Sequence, residues 1–293
     1  MGMPSRRSLL ALVFVALPLF APVLFVGCKS KAQKEAESAQ GDVGRLQKLV
    51  VDRHVDALSR ALPEAASKLA PPLDETAAGA KFVQLREKSE DLRASKRSFF
   101  ALVDVESTIT WVDEPGWAVK GRVLSGGFPP VKDCLDDKGA THGSGRFGGD
   151  PPDALWFVDA APIKADGKIV GCLVAAWEAI DAADNLQSQL LTDIGMAGSA
   201  PSSVHNKPKE QRKAAMEAAD VWVALFRGNV VYMVEDAYQP LEEAAKTLDL
   251  GGKTSGGAWT GTFEVTNTGW GASAVRVPGL GEGVGIAVFR HKS

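Results

Sequence analysis

The side chains that most often carry out chemistry are present in this sequence, but their spacing matches no catalytic or metal-binding pattern. No serine lies in a Gly-x-Ser-x-Gly elbow. Gly252-Lys253-Thr254 lacks the upstream glycine that a phosphate-binding loop requires. The histidines show no ligand spacing with each other or with the cysteines; they are His54, His142, His205 and His291. We therefore predict no catalytic residue, no metal and no cofactor, and expect that the protein is not an enzyme.

Two of the three cysteines, Cys134 and Cys172, lie well beyond the N-terminal region. Such a pair could form a disulfide in a compartment outside the cytoplasm. The alternative is two unpaired thiols, with Cys172 on a buried strand. The separation of the two Cα atoms decides between them, and the sequence does not supply it.

The first 28 residues have the layout of an export signal. Arg6 and Arg7 precede an apolar run, Leu9 to Val26, that contains no charge. The run is about 18 residues long, at the lower edge of what spans a bilayer, and its two prolines weaken a spanning helix. We therefore predict that segment 1–28 is a signal peptide or a membrane anchor, and that the bulk of the chain is extracytoplasmic.

The apolar run ends at Gly27-Cys28 and is followed by polar residues. A small residue and a cysteine after such a run resemble a lipobox, in which the thiol is lipidated and the chain is cut before it. Phe25 and Val26 depart from the residues usual in that motif. The alternative is an uncleaved signal anchor. Either route would attach the protein to a membrane of the cell envelope through its N-terminus.

The composition is that of an ordinary globular protein, with 45% hydrophobic residues, 24% charged residues and a net charge of −3. This near balance argues against a nucleic-acid partner, which would favour a basic face. About 265 residues follow the export segment, enough for one large or two small domains.

The pattern of elements divides the chain into five parts. Apolar residues recur at helical spacing from Val43 to Leu69, with a break expected at Pro63 or at Pro71-Pro72. Strand and turn patterns begin at Phe99. The predicted parts are the export segment 1–28, a tether and long helices over 29–98, a first sheet unit over 99–194, a linker over 195–208 and a second unit over 209–293.

The two sheet regions match each other. Trp156 precedes Gly171 by the same 15 positions that separate Trp270 from Gly285. The hairpins that open the two regions also match, at 101–114 and 224–236. The repeat predicts an α+β fold of two tandem units, each an antiparallel sheet with helices on one face. The alternative is a coincidence between ordinary hairpins.

The first unit resembles the Cache family, the PAS-like sensor domains found outside the cytoplasm. The resemblance is carried by Phe100-Ala-Leu-Val-Asp104, by Trp156-Phe-Val-Asp-Ala-Ala-Pro-Ile163 and by Asp166-Gly-Lys-Ile-Val-Gly171. The long helix ahead of the sheet also fits. The second unit lacks the Pro-Ile and Asp-Gly-Lys elements, so it fits as a degenerate copy.

The resemblance implies two tandem PAS/Cache-like units with a small-ligand pocket between a sheet and its covering loops. The candidate ligand-binding residues are Trp117, Lys120, Arg122, Trp156, Asp159 and Asp104. An arginine beside tryptophans suits a carboxylate ligand, because its guanidinium group donates two parallel hydrogen bonds. The motif of the amino-acid-binding branch cannot be laid over this region, so the ligand stays open.

Together these observations predict a membrane-tethered, extracytoplasmic module that senses or binds a small molecule. The expected chain has no output domain of its own, so a signal would pass to a separate protein partner. The alternative is a structural or scaffolding envelope lipoprotein whose PAS-like units bind a protein.

Overall fold

Two five-stranded antiparallel sheets form the centre of the computed structural model, which describes residues 29–114, 116–124, 126–196, 208, 210, 211, 214 and 220–291. The first sheet contains β1 (Phe99–Val103), β2 (Ile109–Val112), β3 (Thr141–Gly145), β4 (Trp156–Ala165) and β5 (Lys168–Glu178). The second contains β6 (Val221–Arg227), β7 (Val230–Tyr232), β8 (Trp259–Val265), β9 (Thr268–Arg276) and β10 (Val284–Arg290). Their orders, β2-β1-β5-β4-β3 and β7-β6-β10-β9-β8, are the same topology repeated. The predicted α+β fold of two tandem PAS/Cache-like units is confirmed.

The helices connect and cover these sheets. The first helical run is α1 (Lys31–Leu49), a π-helical segment (Val50–Asp56) and α2 (Ala57–Ala66), and the second is a π-helical turn (Glu75–Gly79), α3 (Ala80–Lys88) and α4 (Glu90–Ala94). The later helices are α5 (Pro129–Leu135), α6 (Ala179–Asp193), α7 (Gln239–Lys246), α8 (Leu250–Lys253) and the 3-10 turn Pro278–Leu280.

The long N-terminal helix covers the back faces of both sheets. It begins with a capping box, in which Ser30 and Gln33 satisfy each other's backbone N–H groups. α1 packs on β9 and β10 of the second sheet, and α2 packs on β4 and β5 of the first. A Cβ atom on Gly271 would lie 2.1 Å from the backbone nitrogen of Ala36, so only glycine lets α1 lie this close to β9.

The structure decides two points about this helix that the sequence left open. The helix already begins at Lys31, so the stretch before Val43 is packed helix and leaves only Lys29 and Ser30 for a tether among the described residues. Of the two predicted breaks, the one at Pro63 does not occur: the helix continues through Pro63 and ends at Ala66, before Pro71-Pro72. Packing against the first sheet outweighs the backbone hydrogen bond that Pro63 cannot donate.

The two units repeat the same topology, but one pair of residues that the sequence predicts to be equivalent, Gly171 and Gly285, is not equivalent in the structure. When β4 and β9 are aligned on their tryptophans, Pro162 matches Arg276. Pro162 pairs with Cys172, and Arg276 pairs with Gly285. Gly285 is therefore equivalent to Cys172 and not to Gly171. The connection in the first sheet is one residue longer, so a constant spacing from the tryptophans cannot hold through both hairpins.

Helices were predicted on one face of each sheet, but both faces are covered among the described residues. The long helix lies on the back faces, α5 and its loops lie on the front of the first sheet, and α7 and α8 belong to the second unit. The loop-rich region 116–153 contains α5 and β3, which the sequence patterns did not reveal. Within the described ranges, no helix combines the length and apolarity needed to cross a membrane. The predicted export segment lies outside those ranges, as does most of the predicted linker.

Candidate functional site

The front face of the first sheet is filled by aromatic side chains. Phe99 and Trp156 rise from the sheet, with ring centroids 5.7 Å apart. Phe147 packs on Trp156 at 5.2 Å and on Phe128 at 4.9 Å. Phe99, Phe128, Phe147 and Trp156 are all buried. The pocket expected between this sheet and its covering loops is therefore occupied by the protein's own core.

A disulfide between Cys134 and Cys172 fixes this covering layer to the sheet. Cys134 lies on α5 and Cys172 on β5, and both are fully buried. Of the two alternatives that the sequence left open, the structure has the paired one. The bond joins segments 38 positions apart and holds α5 against the sheet.

An open space lies instead at the junction of the two units, in a cleft of about 770 Å³. We call it the junction cleft. The first unit contributes Trp117, Arg122, Asp150, Asp153, Trp156, Glu178 and Ile180, and the second contributes Val230, Val231, Tyr232, Met233, Glu242 and Lys246. This volume lies within the range usual for small-molecule sites.

Aromatic rings form the first-unit wall of the junction cleft. Trp117 meets Trp156 edge to face, with ring centroids 5.2 Å apart. The indole Nε1 of Trp156 donates to Asp150 Oδ2 at 3.2 Å, which holds the ring in place. From the second unit, the hydroxyl of Tyr232 donates to the carbonyl oxygen of Asp153 at 2.8 Å and ties the two units together at the cleft.

Both cations of the cleft already have carboxylate partners. Arg122 Nη2 lies 3.4 Å from Asp150 Oδ1, and its guanidinium carbon lies 4.2 Å from the centre of the Phe147 ring. Lys246 pairs with Glu242 at 2.7 Å. An incoming carboxylate would have to compete with these partners, which weakens the case for Arg122 as a carboxylate-binding residue.

Glu178 is an acidic residue of the cleft with a raised pKa and a position beside Trp156. It ends β5 directly opposite Trp156 in the strand ladder, so the two side chains are cross-strand neighbours. Burial raises the pKa of Glu178 to about 6, with further contributions from the nearby charges of Asp181 and Asp150. Within the described part of the chain, Glu178 forms no ion pair.

Asp159 lies on the other face of β4 from Trp156, because neighbouring residues of a strand alternate between faces. It pairs with Arg97, whose side chain is only 1% exposed, at 3.2 Å. Arg97 also donates to the carbonyl oxygen of His54 at 2.5 Å and lies 5.0 Å over the Trp177 ring. Burial, followed by the charge of Arg97, lowers the pKa of His54 to about 3, so His54 is neutral. Asp159 thus belongs to a buried structural cluster behind the sheet.

The remaining predicted residues lie apart from the junction cleft. Asp104 accepts hydrogen bonds from the backbone nitrogens of Glu106 and Thr108, which is turn chemistry. Lys120 is exposed and lines a neighbouring groove of about 830 Å³ beside Trp111 and α3, which shares Trp117 with the junction cleft. The structure therefore brings together Trp117, Arg122 and Trp156 and leaves out the other three; it adds Glu178 and Tyr232.

The comparisons with known proteins concern the fold. No protein-family model matches this chain, and no curated protein matches it. Among solved structures, an extracellular ligand binding receptor from Desulfohalobium retbaense is similar, with 12% identity and a TM-score of 0.51 over 87% of this chain and 40% of that one.

Two structures of ligand-binding domains align with this chain at lower TM-scores. The ligand binding domain of Mlp24 with asparagine has 14% identity and a TM-score of 0.47 over 89% of this chain and 95% of that one. The domain of Campylobacter jejuni Tlp3 with 4-methylisoleucine has 12% identity and a TM-score of 0.47, over 89% and 92%. The likeness to the Desulfohalobium receptor concerns the fold alone and agrees with the tandem Cache-like arrangement; this chain spans 40% of the length of that receptor.

Proposed function

We propose that this protein is an extracytoplasmic module that binds and senses a small ligand, tethered to a membrane through its N-terminus. The observation that supports it most is the junction cleft, because a space of about 770 Å³ is walled by side chains of both units. The ligand-binding function of the similarly folded receptor is in accord with this proposal.

A ligand in this cleft would act on the relation between the units. It would contact Trp156 and Glu178 on the first sheet and Tyr232 on the second. Glu178 also occupies the N-cap position of α6, the helix that follows β5, although its side chain makes no capping hydrogen bond. A ligand shifts a conformational equilibrium only through contacts that differ between the states. Contacts on both sides of the junction meet that requirement if the two units move relative to each other. A separate protein would then respond to the new arrangement of the units.

We expect a metabolite screen by thermal shift to give at least one compound that stabilises the protein. Replacing Trp117 by alanine removes part of the aromatic wall, so its affinity for that compound should fall by about tenfold or more. Trp259→Ala is the matched control, because Trp259 is also partly exposed but lies on β8 and does not line the cleft. A screen without any stabilising compound, or equal affinities for W117A and wild type, would contradict the proposed function.

The proposed tether is Cys28, which carries the lipid in this interpretation. Cys28→Ser should abolish the incorporation of labelled fatty acid and leave the chain either uncleaved or released from the membrane fraction. Lys29→Ser, which changes the next residue, should retain the label. Unchanged processing and membrane attachment in C28S would eliminate the lipoprotein and favour the uncleaved signal anchor.

One observation favours the scaffolding alternative. The front face of the second sheet is also filled, by Trp222, Phe226, Trp270 and Phe289. Units that have lost the pockets on their sheet faces would serve to hold a protein partner. In that case, a protein should co-purify from solubilised membranes in a fixed ratio, whether or not a ligand from the screen is present.

A further inference from the structure

The charges of the junction cleft do not balance. Its lining contains two cations, Arg122 and Lys246, and each is paired with a carboxylate, Asp150 and Glu242 respectively. Two further carboxylates, Glu178 and Asp153, line the cleft without an ion pair among the described residues. The cleft is thus left with negative charge that the protein does not neutralise.

Glu178 is the carboxylate best placed to meet a ligand. It is half-buried and adjacent to Trp156, whereas Asp153 is exposed at the rim. Removing a carboxylate from water is unfavourable unless a cation or hydrogen-bond donors compensate. The raised pKa of Glu178 reflects that missing compensation.

The neutral walls of the cleft also favour a cation. The faces of tryptophan and tyrosine rings attract ammonium and guanidinium groups. Trp117, which is partly exposed, lines the same space as Glu178, and the nearly buried rings of Trp156 and Tyr232 border it. Met233 and Val231 add an apolar surface for the body of a ligand.

The N-terminus of α6 also reaches the cleft, and helix N-termini generally favour anions. Here the protein itself meets part of that preference. The backbone nitrogen of Ala179 donates to Leu155, and that of Glu178 donates to Ser98 Oγ at 2.9 Å. Asp181 supplies a carboxylate within the first turn.

We propose that the junction cleft selects a small organic cation, an ammonium group on an apolar or aromatic body, with Glu178 as its counter-ion and the rings of Trp117 and Trp156 as its walls. This inference rests on the proposed function and names the chemical class of its ligand. It replaces the carboxylate ligand that the sequence suggested.

The test uses three probes with the same aromatic body and different head groups: 2-phenylethylamine, 2-phenylethanol and 3-phenylpropionate. Binding is measured by calorimetry and tryptophan fluorescence at pH 7.5. The amine should bind at least about tenfold more tightly than the alcohol or the carboxylate. Glu178→Gln should remove that preference and leave the alcohol unaffected. Glu106→Gln, which neutralises an exposed turn residue outside the cleft, should bind like wild type.

The pH dependence gives a second readout. The charged groups that act on Glu178 are Asp181 and Asp150. The other charged residues of the same cleft are Arg122, Asp153, Glu242 and Lys246. Protonation of Glu178 removes the counter-ion, so amine affinity should fall by about tenfold from pH 7.5 to pH 5. The fall should be centred near the Glu178 pKa of about 6 and be absent in E178Q.

The outcomes separate this inference from the proposed function. Equal or tighter binding of the alcohol or carboxylate would overturn the cation class while leaving a ligand-binding cleft. Amine binding that E178Q does not weaken would overturn the role of Glu178. No binding by any of the three probes at millimolar concentration would also overturn the inference, whereas only a metabolite screen without any hit would count against ligand binding itself.

Discussion

Replacing Cys134 and Cys172 by alanine should lower the free energy of unfolding by about 4 kcal/mol. The bond closes a loop across 38 positions, and the loop-entropy relation gives about that value for a loop of this length. Both cysteines of the disulfide are fully buried, and alanine leaves no polar group unsatisfied at either position. Urea denaturation of the double variant and the wild type measures the difference.

Reduction of the wild-type protein provides the matched comparison, because it breaks the same bond without deleting any atoms from the core. Wild type with a reductant should approach the stability of the double variant, and the double variant should not respond to the reductant. If reduction leaves the wild-type midpoint unchanged, the bond contributes little and α5 is held by the aromatic cluster alone. Disulfides persist outside the cytoplasm, so a strong contribution also fits the proposed extracytoplasmic location.

Replacing Arg97 by methionine should lower the free energy of unfolding by about 3–5 kcal/mol. Arg97, whose side chain is 1% exposed, is the partner of Asp159, which is 17% exposed, and it also donates to the carbonyl oxygen of His54. Its removal leaves a mostly buried carboxylate uncompensated. Burial already raises the pKa of Asp159, and the charge of Arg97 opposes that rise. Without Arg97, the pKa of Asp159 should therefore rise further.

The double variant Arg97→Met/Asp159→Leu identifies the cause of that loss. Removing both charges should recover a large part of the stability, because the unpaired carboxylate is then gone. Lys48→Met is the surface control: Lys48 is 77% exposed beside Asp52, and its loss should cost less than about 1 kcal/mol. If the double variant is no more stable than R97M, the cost arises from lost packing on Trp177 and not from the charge.

The tandem architecture could be predicted because short-range sequence patterns indicate each of its hairpins. Hairpins with alternating or continuous apolar runs matched each other in order, and their sheets have the same strand order. The disulfide could not be decided, since it depends on how α5 lies over β5. Asp159 was assigned to the ligand site although it lies three positions from Trp156 on one strand. Strict alternation along the strand would have placed the two on opposite faces.

The junction cleft could not be predicted from the sequence, for a different reason. Its wall combines the end of β5 with β7, and those segments are about fifty positions apart in the chain. No periodicity links residues of two separate sheets. Glu178 was overlooked because it stands between a predicted strand and a predicted helix, where a charged residue is usually only a helix cap. Its pairing with Trp156 became visible only with the strand register.

Because α1 begins at Lys31, the link between a membrane anchor and the folded protein would be very short. If Cys28 carries the lipid, only Lys29 and Ser30 separate the acyl chains from a rigid helix. Two extended residues span about 7 Å. Ala32, one residue into that helix, already packs against Gly269 at the start of β9. The second unit would then rest directly on the lipid surface and the molecule would have almost no freedom to drift from it. Its encounters would be confined to proteins in the same bilayer, a two-dimensional search in place of a three-dimensional one.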